Sequence, residues 1–339
     1  MNRSDEMMDF LNAHLTQGFF VQSLAGDASF RRYHRIFFDV KSEHEKTGMT
    51  YLLMDAPPQK ENVDAFVHVA NIMSETINVP EIIASDLKKG FLLLQDFGTV
   101  EFAQVIDEQT QRDRYYQKAL ATLLDLQSIE IDVPLAHYDD DKLAQEMDLF
   151  AQWFLPYIGV VLDDKGMQLW QQTKDALIKD IQTQPKVIVH RDYHSRNLMV
   201  DKSSGELGVI DFQDALIGAY TYDLVSLVRD AYIGFDEAWV NQIIKDFYQQ
   251  KLPAVDLQTF VKDVNVMGVQ RHLKVLGIFV RLSQRDGKDR YLQNIPKVMQ
   301  DLLTELTWLF EHYGQYGEFL AWLKACVLPA YQRVFGALK

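Results

Sequence analysis

The sequence predicts an α+β fold of two lobes, a small N-terminal β-sheet lobe over residues 1–96 and a larger, mainly helical C-terminal lobe over 97–339. Three observations predict it. Short apolar runs with β-branched and aromatic residues crowd the chain before Gly98, long amphipathic stretches dominate after it, and one cluster of short strands between Val187 and Asp211 interrupts the helices.

Taken in order, Ser4 reads as an N-cap, with Asp5 and Glu6 in the first turn and Met8, Leu11 and Leu15 on one helical face. The strands expected next are FFVQSL, FRRYHRIFF and TYLLMD, then a helix near 62–77, then EIIAS and FLLLQ. KSEHEKTG at 41–48 is a polar turn. Helical periodicity follows near 110–128, 139–154, 165–182, 221–249, 256–284 and 297–335. The break at Gln95 to Gly98 separates the lobes, where a purine wedged between sheet and helices would meet hinge backbone at Gln95 and Phe97.

The chemistry concentrates in VIVHRDYHSRNLMV (187–200) and GVIDFQD (208–214). Val187–Val189 reads as a buried strand, and Leu198–Val200 and Leu207–Ile210 as a hairpin around the turn Asp201, Ser203, Ser204, Gly205. His190 to Asn197 spells H-R-D-x-x-x-x-N without a gap. In phosphoryl transfer such an Asp accepts the proton of the attacking hydroxyl, while the Asn and a later Asp hold Mg²⁺ against the ATP phosphates. The hairpin puts Asn197 at its entrance and Asp211 at its exit; Mg²⁺ needs only one or two protein carboxylates and amides, so these two suffice. The alternation His190, Asp192, His194 is also a spacing for Zn²⁺ or Fe²⁺ and a metal-dependent hydrolase, although the other histidines, His14, His34, His44, His68, His137, His272 and His312, form no ligand pair.

With these residues in place the chain resembles the aminoglycoside phosphotransferase and choline kinase-like superfamily, whose metal loop reads I-D-F/W, here Ile210, Asp211, Phe212 and then Gln213. DASFRRYHRI (27–36), LLMDAPP (52–58), LLLQDFG (92–98), TYDLVSLVRDAY (221–232) and QRHLKVLGIFVRLSQRDGK (270–288) are similar to the bacterial anomeric amino-sugar kinases within it. That resemblance implies a two-lobed protein kinase-like fold, ATP and Mg²⁺ as cofactors, and phosphorylation of the anomeric hydroxyl of N-acetylmuramate or N-acetylglucosamine for peptidoglycan recycling. A kinase of another small hydroxyl substrate, such as an aminoglycoside, choline or homoserine, and a nucleotide-binding pseudokinase remain as alternatives.

Two departures from the kinase pattern stand out. The turn Gly26–Ser29 lacks a glycine-rich phosphate loop, and the third strand offers Leu52, Leu53, Met54 and Asp55 where a phosphate-binding lysine is usual. Strand alternation with Phe30 and His34 nominates Arg32, rather than Arg31, as the replacement. The helix at 62–77 has no clear mid-helix glutamate. The expected site is therefore Asp192 as proton acceptor, Asn197 and Asp211 as metal ligands, and Ser29, Phe30, Arg32, Gln95, Asp96, Phe97, Met199 and Ile210 toward the nucleotide. Arg191, His194, Gln213, Asp214, Tyr222, Asp223 and Arg271 fall to the sugar. Asp223 reads equally well as a brace for the catalytic loop. Arg271, His272, Arg281 and Arg285 share one long helix, and one of them could meet the lactyl carboxylate of N-acetylmuramate.

Composition bounds the rest. At 339 residues and 47% hydrophobic, the chain fills two substantial lobes, with no repeat or low-complexity tract. A net charge of −14 argues against nucleic acid or an anionic membrane as partner, and no protein partner is expected. No run approaches the roughly 18 apolar residues of a membrane span, and the start lacks a signal-peptide core. A single cysteine, Cys326, among apolar neighbours fits a buried thiol in the cytoplasm.

Overall fold

The computed structural model describes residues 2–24, 30–38, 48 and 50–338. Along the chain run α1 (Arg3–His14), β1 (Phe19–Ser23), β2 (Arg32–Phe38), β3 (Thr50–Asp55), α2 (Val63–Met73), β4 (Ile82–Asp86), β5 (Phe91–Gln95), α3 (Phe102–Val105) and α4 (Gln109–Leu126). Then come α5 (Asp140–Leu149), a π-helical segment Phe150–Phe154, α6 (Leu155–Tyr157), α7 (Asp164–Gln182), β6 (Lys186–Val189), β7 (Leu198–Val200), β8 (Leu207–Val209) and β9 (Leu216–Ala219). The chain closes with α8 (Tyr222–Val228), α9 (Glu237–Lys251), α10 (Leu257–Asp286), α11 (Ile295–Tyr313), α12 (Gly317–Trp322) and α13 (Leu328–Phe335).

These elements form two compact units, Met1–Ile129 with Arg196–Ala215, and Glu130–Ser195 with Leu216–Lys339. This differs from the expected division at residue 96, because α3, α4 and the hairpin β7–β8 gather with the N-terminal sheet. Their ties are local: Lys202 N–H donates to Phe97 C=O at 2.9 Å, Val200 N–H to Val100 C=O at 2.9 Å, and Val209 N–H to Asn78 C=O at 2.8 Å. Gly208 lies under the Phe97 ring, where a Cβ would stand 2.3 Å from the ring carbons, so only glycine admits this packing.

In the first unit the five strands pair antiparallel in the order β1-β2-β3-β5-β4. Alternate residues of β2, β3 and β5 point into one core, where Ile36, Leu53, Phe91 and Leu93 pack with Phe10 and Leu11 of α1. The cap of α1 is Asn2 rather than Ser4: its side chain accepts the Asp5 N–H at 2.9 Å and the Asp5 carboxylate accepts the Asn2 N–H at 3.3 Å. Helix α2 buries Val63, Phe66, Val69, Ala70 and Met73, the stripe its spacing predicts.

In the second unit β6 and β9 pair antiparallel, and the 30-residue α10 packs against α5, the π-helical segment, α7, α8 and α11. The helix expected over 221–249 is two helices. Arg229 leaves helical backbone at φ −116° and ψ 48°, and Asp236 starts α9 by accepting the Trp239 N–H at 2.9 Å. Cys326 is exposed, contrary to expectation, since its π-helical turn buries Leu323 and Val327 instead. No helix of the described residues is long and apolar enough to cross a membrane.

Candidate active site

In the helical unit, β6 delivers His190 to Ser195 as a loop held from beneath by buried carboxylates. Asp223, at the start of α8 and 1% exposed, accepts the His190 N–H at 2.7 Å and the Arg191 N–H at 3.0 Å. Asp230, also buried, accepts the Ser195 N–H at 2.9 Å and the Tyr232 N–H at 2.7 Å. Arg191 takes a left-handed backbone at φ 78°, costly for a side chain with a Cβ, and the Asp223 bonds supply part of what holds it there. Asp223 thus takes the bracing role; burial pushes its carboxyl up to about 6, against the opposing pull of His190 and the two backbone donors.

Asp192 lies between these clamps, half-buried. Its N–H donates to His190 Nδ1 at 3.2 Å. Burial alone would raise its carboxyl, but Lys274, His194, Arg271 and His190 outweigh it and hold the group down at about 2. Arg271 Nη1 donates to Arg191 C=O at 3.1 Å and to the Tyr222 hydroxyl at 3.2 Å, and Lys274 Nζ to the same hydroxyl at 3.0 Å. Glu146 of α5 joins the cluster by an ion pair with Lys274 at 2.9 Å, another with Arg191, and a hydrogen bond from the Tyr138 hydroxyl. Arg271 and Tyr222, expected at the sugar, are therefore buried and packed behind the loop, while His194 keeps a half-buried ring edge-on to Tyr232 at 5.4 Å between centroids.

In the sheet unit, the open end of the hairpin pairs Asn197 C=O with the Ile210 N–H at 3.0 Å, next in the chain to Asp211. Asp211 also has a left-handed backbone, φ 64°, and its side chain is 49% exposed, with Gln213 Nε2 donating to Oδ1 at 2.9 Å. Phe212 anchors the loop against Phe66, ring centroids 4.8 Å apart. Gln213 and Asp214 belong to this unit, whereas Arg191, His194, Tyr222, Asp223 and Arg271 belong to the other.

The cation near Asp211 is Arg31, not Arg32. Arg31 Nη1 lies 3.7 Å from Asp211 Oδ1, and Nε pairs with Glu61 Oε2 at 3.0 Å; Glu61 Oε1 also accepts the Phe30 N–H at 2.9 Å. Burial works against the charge on Arg31, but Tyr33, Glu61 and Asp211 outweigh it and raise its pKa. Arg32 turns to buried Asp55 at 2.8 Å, with its side chain 57% exposed. Arg31 rather than Arg32 turns this way because β2 begins at Arg32, so Arg31 precedes the strand and is not bound by its alternation. Glu61 stands just ahead of Asn62, the N-cap of α2.

Other expected nucleotide contacts fare unevenly. Gln95 N–H donates to Glu81 C=O and Phe97 C=O accepts the Lys202 N–H within the unit. The Asp96 carboxylate is buried and engaged by Arg35 at 2.7 Å, Thr50 at 2.6 Å and the Gly98 N–H at 2.9 Å, which makes it a structural clamp. Phe30 is 60% exposed under Lys60 Nζ, 4.5 Å from the ring centroid, and Met199 and Ile210 are half-buried on the hairpin. Ser29 and the turn Gly26–Ala28 lie outside the described residues, as do all but Gly48 of the 41–48 loop.

Among the described residues no three His, Cys, Asp or Glu side chains gather into a metal cage, and His190 is fully buried with Nδ1 engaged, so the alternation at 190–194 builds no Zn²⁺ site. A half-exposed carboxylate beside an asparagine is instead the hard, sparse donor set that suits Mg²⁺.

Residues 21–257 match the family described as "Phosphotransferase enzyme family". A protein of Pseudomonas putida named N-acetylmuramate/N-acetylglucosamine kinase is 38% identical over 308 residues, 89% of this chain and 87% of its own length. One of the same name from Neisseria meningitidis serogroup B is 40% identical over 287 residues, 82% of this chain and 83% of its own. Among solved structures, the gentamicin complex of aminoglycoside phosphotransferase APH(2")-IIa superposes with a TM-score of 0.60 at 15% identity, covering 88% of this chain and 97% of its own. Choline kinase LicA from Streptococcus pneumoniae gives 0.60 at 10% identity, covering 89% and 100%. The fold is the two-lobed, protein kinase-like one, with an N-terminal antiparallel sheet and a mainly helical remainder.

Proposed function

The chain belongs to the phosphotransferase enzyme family, and on that premise we propose that it transfers the γ-phosphoryl group of ATP to the anomeric hydroxyl of N-acetylmuramate, N-acetylglucosamine or both. The observation that carries this reading is Asp192, set on a loop clamped by Asp223 and Asp230 and ringed by Lys274, Arg271 and two histidines. The amino-sugar acceptor comes from the relatives' name.

In this reading Asp192 orients the acceptor hydroxyl and receives its proton. A carboxylate held down at about 2 is a weak base, which fits an anomeric hydroxyl, more acidic than an ordinary alcohol. It fits equally a loose transition state in which the hydroxyl proton leaves late. Asn197 and Asp211 would hold Mg²⁺, which when bound neutralises charge on the phosphates. Arg31, oriented by Glu61, presents to the phosphates the positive charge that the third strand lacks. Asp223 keeps the His190–Arg191 backbone in place, and no covalent intermediate on the enzyme is required.

The test is to incubate the protein with Mg-ATP and a panel of amino sugars, aminoglycosides, choline and homoserine, and to follow products by ³¹P NMR. A phosphorus resonance coupled to an anomeric proton is expected with at least one amino sugar. Product only from another acceptor would reassign the substrate, and nucleotide binding without turnover of any acceptor would make the chain a pseudokinase.

A further inference from the structure

Helix α10 carries the groups that the sequence offered to an anionic acceptor, and nearly all are committed. Arg271 donates to Arg191 C=O and Tyr222, His272 Nδ1 meets Glu305 at 2.7 Å, and Arg285 is paired with Asp286 at 2.7 Å. Lys274 is locked between Glu146 and Tyr222. Arg281 differs. Among the described residues it has no hydrogen bond or salt bridge, and its Nε is buried without an acceptor. A half-buried guanidinium in that state is unfavourable until something anionic completes it.

Its position says what would complete it. Arg281 follows Lys274 by two turns, about 10 Å along the axis and on the same face of α10, so it extends the line of cations that starts behind Asp192. Gly277, between them, packs so closely on Leu149 that a Cβ would stand 2.3 Å from the Leu149 carbonyl carbon; this contact seats α10 on α5 and leaves Glu146 within electrostatic reach of Arg281. Glu146 cannot serve as its partner, being already shared by Arg191 and Lys274, and Asp286 is taken by Arg285. Across the cluster Arg191, Arg271, Lys274 and Arg281 face the carboxyl groups of Glu146, Asp192 and Asp223, so a positive charge is left over, at Arg281.

We propose that Arg281 is a specificity-determining residue that binds the carboxylate of an acidic acceptor, the lactyl carboxylate of N-acetylmuramate, and so favours that sugar over N-acetylglucosamine, which has none. The assignment rests on the amino-sugar reading above.

Steady-state kinetics with the full chain, Mg-ATP and each sugar test it. Arg281→Gln is expected to lower the ratio of kcat/KM for N-acetylmuramate to that for N-acetylglucosamine by about ten- to a hundredfold, through KM, and Arg281→Lys to recover part of it. N-acetylmuramate with its carboxylate converted to the carboxamide should lose the same factor on the unmodified enzyme and little further in Arg281→Gln. An unchanged ratio in a variant with the original Tm overturns the assignment. Should the variant not fold, the unmodified enzyme alone decides, since equal use of acid and carboxamide also overturns it. Turnover of neither amino sugar would instead sink the functional reading, and Arg281's role with it.

Discussion

In the helical unit the His190–Ser195 loop is secured by the protein alone: Asp223 and Asp230 engage its backbone at both ends, and Arg271, Lys274, Tyr222 and Glu146 fill the space behind it. The loop of Asp211 in the sheet unit is different: Asp211 is half exposed, and among the described residues its carboxylate meets Gln213 and the nearby Arg31. The contrast teaches where each half draws its order. On the proposed reading, a neutral hydroxyl cannot organise its own proton acceptor, so the protein prebuilds one, whereas a polyanionic, metal-bearing nucleotide would bring enough charge to order a sparse shell around itself.

The strongest way to break the comparison is at Asp192. Asp192→Asn should cut kcat by about 10²- to 10⁴-fold with nucleotide affinity and Tm unchanged; a smaller loss would mean the prebuilt loop serves only to position. Asp211→Asn should lower kcat by about 10²- to 10³-fold and raise the Mg²⁺ concentration for half-maximal activity, whereas Asp192→Asn should leave that midpoint alone. A metal titration on both variants distinguishes them.

Stability sharpens the comparison next. Asp223→Ala strands two buried N–H groups and should cost about 2–5 kcal/mol in urea unfolding, while Asp211→Ala, half exposed, should cost less than about 1 kcal/mol. The Asp223 carboxyl also leaves a pH signature. Folding raises its pKa to about 6, above the roughly 4 of an unfolded Asp. Its contribution is therefore full below about pH 4 and is lost as pH rises through about 6. Asp192, held at about 2, has the opposite sign, losing its contribution only as pH falls below about 4. Unfolding curves for the unmodified chain and Asp223→Asn across pH 4.5–7.5 should diverge in slope, and parallel curves would remove Asp223 as the source.

The smallest contrast lies between neighbours. Arg31→Ala should raise KM for ATP by about ten- to a hundredfold, Glu61→Ala by less, and Arg32→Ala should leave KM unchanged with under about 1 kcal/mol lost, since the Arg32 side chain is exposed and buried Asp55 keeps its pair with Arg3. Equal effects at 31 and 32 would undo the assignment.

Much of this was legible in the sequence because it is local. The strands, the hairpin from Asn197 to Asp211 and the H-R-D-x-x-x-x-N loop follow from periodicity and spacing over a few residues. Arg31 was missed for want of one residue of strand boundary. Glu146 and Lys274 carried no motif; Lys274 lies three residues beyond Arg271, a same-face spacing that could have flagged it, but Glu146 is joined to the loop only by tertiary packing. The pairings of Gln95 N–H with Glu81 and of Phe97 C=O with Lys202 join segments far apart in the chain, which no local pattern announces.

The left-handed backbones at Arg191 and Asp211 bear on how the chain responds to engineering. Both positions hold a side chain where glycine would relax the backbone by about 1 kcal/mol or more. A library selected for thermal resistance alone would enrich glycine at 211, deleting the carboxylate proposed to hold Mg²⁺, whereas glycine at 191 would also forfeit the largely buried pair of Arg191 with Glu146. Heat tolerance and the proposed metal site are thus set against each other at Asp211, and a stabilised form of this enzyme has to be sought elsewhere in the chain.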